Sequence, residues 1–119
     1  MKINKTILVI DDDVDLCALI KYLMTKENYT VECAISLTEA ELKLKQRPEI
    51  VLLDNYLPDG YGIDFIQMHP VEFMKSYVIL MTADPNKSVE LKAKNEGIPI
   101  FIHKPFTVER IKELILQAA

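Results

Sequence analysis

Five short apolar runs recur along the chain, and they constrain its fold more than any other feature. Most of them are rich in isoleucine, valine and leucine and almost uninterrupted by polar residues. They occupy positions 6–10, 30–35, 50–53, 77–81 and 98–102. Nearly continuous apolar runs of this length are typical of strands buried on both faces of a parallel sheet. We therefore predict five parallel strands.

Segments with helical periodicity follow these runs, with apolar residues three or four positions apart within residues 16–24, 37–44, 63–66, 89–93 and 108–115. Ser36 and Glu39 form a capping box for the second helix, Pro70 should end or kink the third, and Gly97 caps the fourth. Strand and helix alternate five times, which predicts an α/β fold with five helices flanking the sheet. A chain of 119 residues that is 50% hydrophobic suits one domain, spanning residues 1–119.

Charge and cysteine content exclude some partners and compartments. The chain has 18 acidic and 14 basic residues and a net charge of −4, so we expect no direct binding to DNA or to an anionic membrane. We expect no secretory signal, and no apolar run approaches the ~20 residues that span a bilayer. Cys17 and Cys33 lie in apolar stretches without metal-ligand spacing. We therefore expect buried free thiols in a reducing cytoplasm.

Ligands of open α/β sheets bind beyond the carboxyl ends of the strands, so the residues that follow each strand are the candidate site. The first, third, fourth and fifth strands deliver chemically distinctive side chains: Asp11, Asp12, Asp13, Asp54, Thr82, His103 and Lys104. Clustered carboxylates repel one another and need a cation, and hard oxygen ligands favour Mg²⁺. A lysine beside such a cluster can neutralise a phosphoryl group.

Each of these residues also has a structural interpretation. Asp13 is equally suited to cap the first helix, Asp54 and Thr82 are common in turns, and Lys104 before Pro105 fits a surface loop. His69 and His103 are expected to be incidental. The convergence of several such groups at one edge of the sheet favours a functional site. No glycine-rich loop follows the first strand, which excludes a dinucleotide site or a P-loop.

Four stretches, in order and at characteristic spacing, resemble the receiver domain of bacterial two-component response regulators. They are ILVIDDD at 7–13, VLLD at 51–54 continuing through Leu57-Pro58 to Gly62, MTA at 81–83, and KPF at 104–106. The resemblance covers nearly the whole chain. It implies the flavodoxin-like receiver fold, with strand order 2-1-3-4-5.

The resemblance also implies roles for the residues of the site. Asp54 would be the phosphoacceptor, and Mg²⁺ would be held by Asp12, Asp54 and the backbone carbonyl of Tyr56, with Asp11 acting mainly through a bound water. Thr82 and Lys104 would each bind a phosphoryl oxygen.

Two further roles concern the switch and the lifetime of the signal. Phe101 occupies the place of the aromatic switch residue, which responds to movement of Thr82. Tyr56 and Asp84 border the approach of the water that hydrolyses the phosphoaspartate, and we expect the bulk of Tyr56 to dominate and to slow hydrolysis.

The resemblance further implies the partners. A histidine kinase or a histidine phosphotransfer protein would supply the phosphoryl group, and the face around the fourth helix, fifth strand and fifth helix would control an output domain or a partner protein. Phosphorylation could also produce a homodimer. Such a domain is not an enzyme with a separate substrate, although it promotes its own phosphorylation and dephosphorylation.

Two alternatives stay open. The loop Asp11-Asp12-Asp13-Val14 also resembles the nucleophile loop of haloacid-dehalogenase-like phosphatases, with Asp11 as nucleophile and Asp13 as acid. That family needs a late pair of acidic residues for Mg²⁺. After Asp84 the chain has only Glu90, Glu96, Glu109 and Glu113, and no two of them form a pair at a strand end. The second alternative is a receiver-shaped interaction module that is never phosphorylated.

Overall fold

A computed structural model describes residues 5–84, 87–98 and 100–118. The strands are β1 (Thr6–Ile10), β2 (Thr30–Ala34), β3 (Ile50–Asp54), β4 (Tyr56–Leu57), β5 (Gly60–Tyr61), β6 (Tyr77–Thr82) and β7 (Ile100–His103). The helices are α1 (Val14–Thr25), α2 (Leu37–Leu44), α3 (Gly62–Met68), α4 (Pro70–Phe73), α5 (Lys87–Asn95) and α6 (Val108–Leu116).

Five of the strands form one parallel sheet in the order β2-β1-β3-β6-β7. Counted along the chain, these five strands have the predicted order 2-1-3-4-5. Strands β4 and β5 form a separate antiparallel hairpin in the loop between β3 and α3, with Tyr56 opposite Tyr61 and Leu57 opposite Gly60. The predicted α/β fold is confirmed, and the hairpin is an addition that the sequence patterns did not predict.

Both faces of the sheet are buried, which explains why the strands read as continuous apolar runs. Alternate strand residues such as Leu8, Leu53 and Leu80 pack with α2, α3, α4 and α5. The intervening residues, such as Val9 and Ile79, pack with α1 and α6. Strand β3 is the most enclosed of all, because every residue from Ile50 to Asp54 is buried. The sheet is therefore a rigid platform whose carboxyl edge presents the side chains that follow.

The third predicted helix is divided in two, so six helices rather than five flank the sheet within the described residues. Helix α3 ends at Met68, and Pro70 begins the short helix α4. The break at Pro70 was predicted, and its cause is that proline has no N–H to continue the hydrogen bonds of the preceding turn. Proline is well suited to the first turn of a new helix, where no such bond is needed.

Two predicted helix ends agree with the structure, and the start of the last strand differs from the prediction. The Ser36 hydroxyl accepts a hydrogen bond from the backbone N–H of Glu39 at 3.1 Å, which confirms the cap of α2. Gly97 follows α5 with φ +78°, as a helix-terminating glycine does. The last strand begins at Ile100 rather than at Ile98, and Pro99, inside the predicted run, lies outside the described residues.

Two further expectations need correction, and the first concerns helix faces. Leu19, Leu42 and Leu91 belong to the predicted apolar stripes but are exposed, because each helix buries only a narrow face against the sheet.

Across the residues that the structure describes, every helix is too short or too polar to cross a membrane.

The expectation of free thiols is wrong in this structure. Cys17 of α1 and Cys33 of β2 form a disulfide, with their Cα atoms 6.2 Å apart, inside the usual range for such a bond. The two residues are 16 positions apart in sequence. Their pairing follows from the packing of α1 against the edge strand β2, which composition and spacing alone do not reveal.

Reduction of the disulfide should lower the free energy of unfolding. The bond closes a loop of 16 residues, and loops of this size stabilise by about 3 kcal/mol in the chain-entropy model. Urea unfolding with and without dithiothreitol, together with a count of free thiols in the denatured protein, measures the effect. The double variant Cys17→Ala/Cys33→Ala should show no response to reductant. Two reactive thiols in the protein purified without reductant would contradict the bond.

Candidate functional site

Backbone hydrogen bonds continue past the strand ends and hold the candidate site residues in place. The N–H of Asp11 donates to the carbonyl of Ala34 at 3.0 Å, and the N–H of Lys104 donates to the carbonyl of Thr82 at 2.7 Å. Asn55, which follows Asp54, donates its N–H to the carbonyl of Met81 at 2.9 Å. The residues that follow three different strands, β1, β3 and β7, are thus held in place by the sheet.

Three carboxylates meet at this edge. Asp11, Asp12 and Asp54 each place a carboxylate oxygen within 4.8 Å of the other two. Asp11 and Asp54 are buried, at 1% and 6% exposure, whereas Asp12 is exposed. The group is therefore closed on the protein side and open towards solvent. Hard oxygen ligands with free positions on one side fit Mg²⁺, which retains waters or phosphoryl oxygens in its coordination sphere.

Lys104 supplies the positive charge within this group. Its Nζ lies 2.6 Å from Asp11 Oδ2 and 3.5 Å from Asp54 Oδ2. Burial lowers the pKa of Lys104, but the hydrogen bond and charge of Asp11, together with the charge of Asp54, outweigh burial and raise that pKa overall. The ammonium group is therefore firmly charged and contacts both buried carboxylates.

One lysine does not fully offset the carboxylates. Burial, followed by the negative charge of Asp11, raises the pKa of Asp54, although Lys104 and the backbone N–H of Tyr56 act in the opposite direction. The carboxylate form of Asp54 is thus less stable than it would be in water. An additional cation at the open side would relieve this repulsion.

Asp13 does not belong to the carboxylate group. Its Oδ1 accepts hydrogen bonds from the backbone N–H groups of Asp15 and Leu16, both at 3.1 Å, and so caps α1. The sequence left the choice between cap and ligand open. The structure favours the cap, and a side chain occupied in this way is poorly placed to act as the acid of a phosphatase.

Thr82 and Phe101 lie on the same side of neighbouring strands. Thr82 is fully buried, and its Oγ1 accepts a hydrogen bond from the backbone N–H of Asp84 at 3.0 Å. Phe101 pairs in register with Leu80, two residues before Thr82. Its half-buried ring packs against the core beneath α2–α5 and meets the His103 ring edge-on at 5.0 Å. Thr82 and Phe101 therefore lie on one face of the sheet, two positions apart in the register of neighbouring strands.

Tyr56 and Asp84 are in direct contact. The Tyr56 hydroxyl donates a hydrogen bond of 2.5 Å to Asp84 Oδ2, and this bond raises the pKa of Tyr56. The ring is 42% exposed and meets Tyr61 edge-on at 5.4 Å. The sequence placed both residues beside the phosphoacceptor but did not predict that they join to each other.

Two residues of the surrounding loop were missed by sequence reasoning. Asn55 is buried, and its Oδ1 accepts a hydrogen bond from the backbone N–H of Ile63 at 3.1 Å. Asp59 accepts hydrogen bonds from the first residues of α2. Proline, aspartate and glycine at positions 58–60 are typical of a turn, but they do not indicate which helix Asp59 contacts. The His69 ring lies 2.9 Å from the Glu72 carboxylate and 4.7 Å from the Phe65 ring, and the expectation that it is incidental stays a prediction.

Comparison with known proteins identifies the class. The family model described as the response regulator receiver domain matches residues 7–116. The chain therefore belongs to the response regulator receiver domains of two-component systems, a family of signalling domains with an acidic pocket for Mg²⁺. The predicted family resemblance is confirmed.

Individual relatives agree with this assignment. The chain is 30% identical over 113 residues to sporulation initiation phosphotransferase F of Bacillus subtilis, a match that covers 94% of this chain and 91% of that protein. It is 28% identical over 112 residues to response regulator protein PilR of Pseudomonas aeruginosa, covering 93% of this chain but 25% of the relative. The chain thus corresponds to nearly all of one relative and to a quarter of another.

Solved structures show the same fold. The non-phosphorylated HemR receiver domain of Leptospira biflexa superimposes with a TM-score of 0.88 at 28% identity, covering 96% of this chain and 93% of that one. The beryllofluoride-activated NtrC4 receiver domain dimer has a TM-score of 0.85 at 32% identity, covering 95% of this chain and 94% of that one.

The different positions of Asp12 and Asp13 give a paired test of the metal site. Asp12→Ala removes a member of the carboxylate group and should weaken Mg²⁺ binding roughly tenfold or more, equivalent to at least about 1.4 kcal/mol. Asp13→Ala should leave Mg²⁺ affinity nearly unchanged but lower the free energy of unfolding by about 1 kcal/mol, because α1 loses its cap. Calorimetric titration and urea unfolding measure the two effects. Equal Mg²⁺ affinities for both variants would contradict the assignment.

Proposed function

We propose that this domain, comprising residues 1–119, accepts a phosphoryl group on Asp54 from a histidine kinase or a histidine phosphotransfer protein. The proposal rests on one observation: buried Asp54 lies close to Asp11, Asp12 and Lys104 at the carboxyl edge of the sheet. Family membership supports the same function. The phosphatase alternative is disfavoured because the Asp13 side chain, its expected acid, is occupied in capping α1.

The proposed transfer breaks the P–N bond of a phosphohistidine and forms a P–O bond to a carboxylate oxygen of Asp54, while the electron pair of the broken bond returns to the imidazole. Asp12, Asp54 and the Tyr56 carbonyl would hold Mg²⁺, with Asp11 acting through a bound water, and the ion would supply charge neutralisation to the phosphoryl oxygens. Lys104 then exchanges its contact with Asp54 for one with a phosphoryl oxygen, and the Thr82 hydroxyl donates to another.

The proposal includes the setting in which the domain works. Phosphorylation alters the face formed by α5, β7 and α6, which then controls an output domain, a partner protein or a second copy of the chain. The domain has no separate substrate to turn over and promotes only its own phosphorylation and hydrolysis. We place it in the cytoplasm, without direct contact to nucleic acid or membrane.

Chemical phosphorylation should label Asp54. Acetyl phosphate with Mg²⁺ provides the phosphoryl group, and borohydride reduction followed by mass spectrometry of peptides locates the phosphoaspartate. We expect the label on Asp54 and its loss in Asp54→Asn. A label on Asp11 would favour the phosphatase alternative, and the absence of any label would favour an inert receiver-shaped module.

The switch should extend from Thr82 to the far face. A phosphoryl group that draws the Thr82 hydroxyl inward breaks its bond with the Asp84 N–H and vacates space that the Phe101 ring can enter. The phenyl ring has no hydroxyl to satisfy, so its burial is inexpensive. With beryllofluoride and Mg²⁺, amide shifts should spread through residues 87–98 and 100–106, as a population shift requires. Shifts confined to the metal ligands would contradict this switch.

The Tyr56 ring should prolong the phosphorylated state. By the family resemblance, it would border the path along which water approaches phosphorus in line with the breaking bond. Tyr56→Asn should therefore speed autodephosphorylation roughly threefold or more, which is about 0.7 kcal/mol of barrier. Tyr56→Phe keeps the bulk of the ring but loses the bond to Asp84, so it should stay close to the unaltered rate.

The decay of phospho-Asp54 at saturating Mg²⁺ measures these rates. Mg²⁺ affinity should be nearly the same in all three proteins because the expected ligand at this position is backbone. Equal or slower decay of Tyr56→Asn would show that the ring does not shield the site. Fast decay of Tyr56→Phe would assign the protection to the hydrogen bond instead.

A further inference from the structure

The carboxylate of Asp59 joins the loop after β3 to the first turn of α2. Asp59 Oδ1 accepts a hydrogen bond from the backbone N–H of Leu37 at 2.8 Å. Asp59 Oδ2 accepts two more at 2.9 Å, from the backbone N–H and from the hydroxyl of Thr38. These partners are 21 and 22 residues away in sequence, so the contact is tertiary and not part of a local turn.

The contact completes the cap of α2. The first N–H groups of a helix have no partner within the helix. Here Asp59 accepts those of Leu37 and Thr38, and Ser36 accepts that of Glu39. The hydrogen bonds from Leu37 and Thr38 lower the pKa of Asp59, so its carboxylate is ionised at neutral pH. A negative charge at a helix N-terminus is also favoured by the helix dipole.

The hairpin that carries Asp59 fits closely against the same helix. Gly60 has φ +152°, and a Cβ atom at this position would lie 2.9 Å from Leu37 Cδ1. At the other end of the loop, Asn55 closes the chain by accepting the N–H of Gly62 at 2.9 Å through its carbonyl. The tip of the hairpin is thus fixed by Asp59 and Gly60, and its base is fixed by Asn55.

Tyr56 is the residue whose position depends on this arrangement. It lies in β4, opposite Tyr61 of β5, in a hairpin of only two pairs. Two pairs are too few to be stable by themselves in water. The contacts at its tip therefore act together with the hydrogen bond from Tyr56 to Asp84 to keep Tyr56 beside Asp54.

We propose that Asp59 is a positioning residue for the phosphoacceptor site, which it serves by fastening the β4–β5 hairpin to α2. This inference rests on the proposed function, because the role of the Tyr56 carbonyl as a metal ligand belongs to that proposal. Asp59 itself touches neither the carboxylate group nor the phosphoryl position. Its effect reaches the site through the hairpin, and it makes α2 part of the support of the site.

Hydrogen exchange and Mg²⁺ titration together test the proposal. In Asp59→Ala, without metal, the amides of residues 56–63 should exchange about fivefold faster or more. Mg²⁺ affinity should fall by about threefold or more, with slower phosphorylation of Asp54 by acetyl phosphate. Asp59→Asn, which retains one acceptor oxygen, should be intermediate. Thr38→Val, which removes only the hydroxyl bond, should have a smaller effect.

The matched control is Asp64→Asn. Asp64 is another exposed carboxylate nearby, and among the described residues it pairs with Lys92 at 3.2 Å. It should change neither the exchange of residues 56–63 nor Mg²⁺ affinity. Faster exchange confined to residues 37–39, with hairpin protection and Mg²⁺ affinity unchanged, would overturn the proposal and leave Asp59 as a helix cap alone. Absence of Mg²⁺ binding by the unaltered chain would count against the proposed function, whereas the metal-free exchange would still decide whether Asp59 holds the hairpin.

Discussion

Repulsion among the carboxylates at the carboxyl edge of the sheet governs the chemistry of this domain. Asp11 and Asp54 are buried beside each other, and Lys104 is the cation that contacts both. The sheet holds these groups together because backbone hydrogen bonds continue past the strand ends. Folding energy gained in the two apolar cores thus maintains an arrangement that would be unfavourable in isolation. The remaining negative charge is what makes the site receptive to a divalent cation.

The same repulsion among carboxylates links Asp54, the proposed phosphoacceptor, to its surroundings. A phosphoryl group adds negative charge to a place where negative charge is already poorly tolerated, so its acceptance requires that nearby donors rearrange. Lys104 contacts the Asp54 carboxylate, and the Thr82 hydroxyl oxygen accepts a hydrogen bond from the Asp84 N–H. In the proposed function both side chains would bind phosphoryl oxygens, so rearrangement at the site would reach the loops after β6 and β7, which precede α5 and α6 of the proposed signalling face.

The sequence predicted those features that depend on pattern along the chain, and it failed where contacts depend on how distant elements pack. Continuous apolar runs predicted the parallel sheet, and the residues after the strand ends predicted a site with Asp54, Thr82 and Lys104. Pro70 predicted the break between α3 and α4. In contrast, the pairing of Cys17 with Cys33 depends on the distance between α1 and β2, which no periodicity encodes. The contact of Asp59 with α2 was missed for the same reason, since a turn residue has many potential partners. The role of Asp13 was undecided because its residue type serves a helix cap and a metal ligand equally well.

The burial of β3 has a mechanical consequence. Each residue of this central strand is enclosed, and it ends directly in Asp54. Interiors packed at this density resist displacement, because any shift must create voids or overlaps on both sides. The carboxylate of Asp54, the proposed acceptor, therefore lies on the part of the molecule least able to move, and in the proposed function a change in its chemical state would be transmitted through the surrounding loops and helices. The central strand thus fixes the position of Asp54, whereas the loops and helices around the sheet are the parts that can respond.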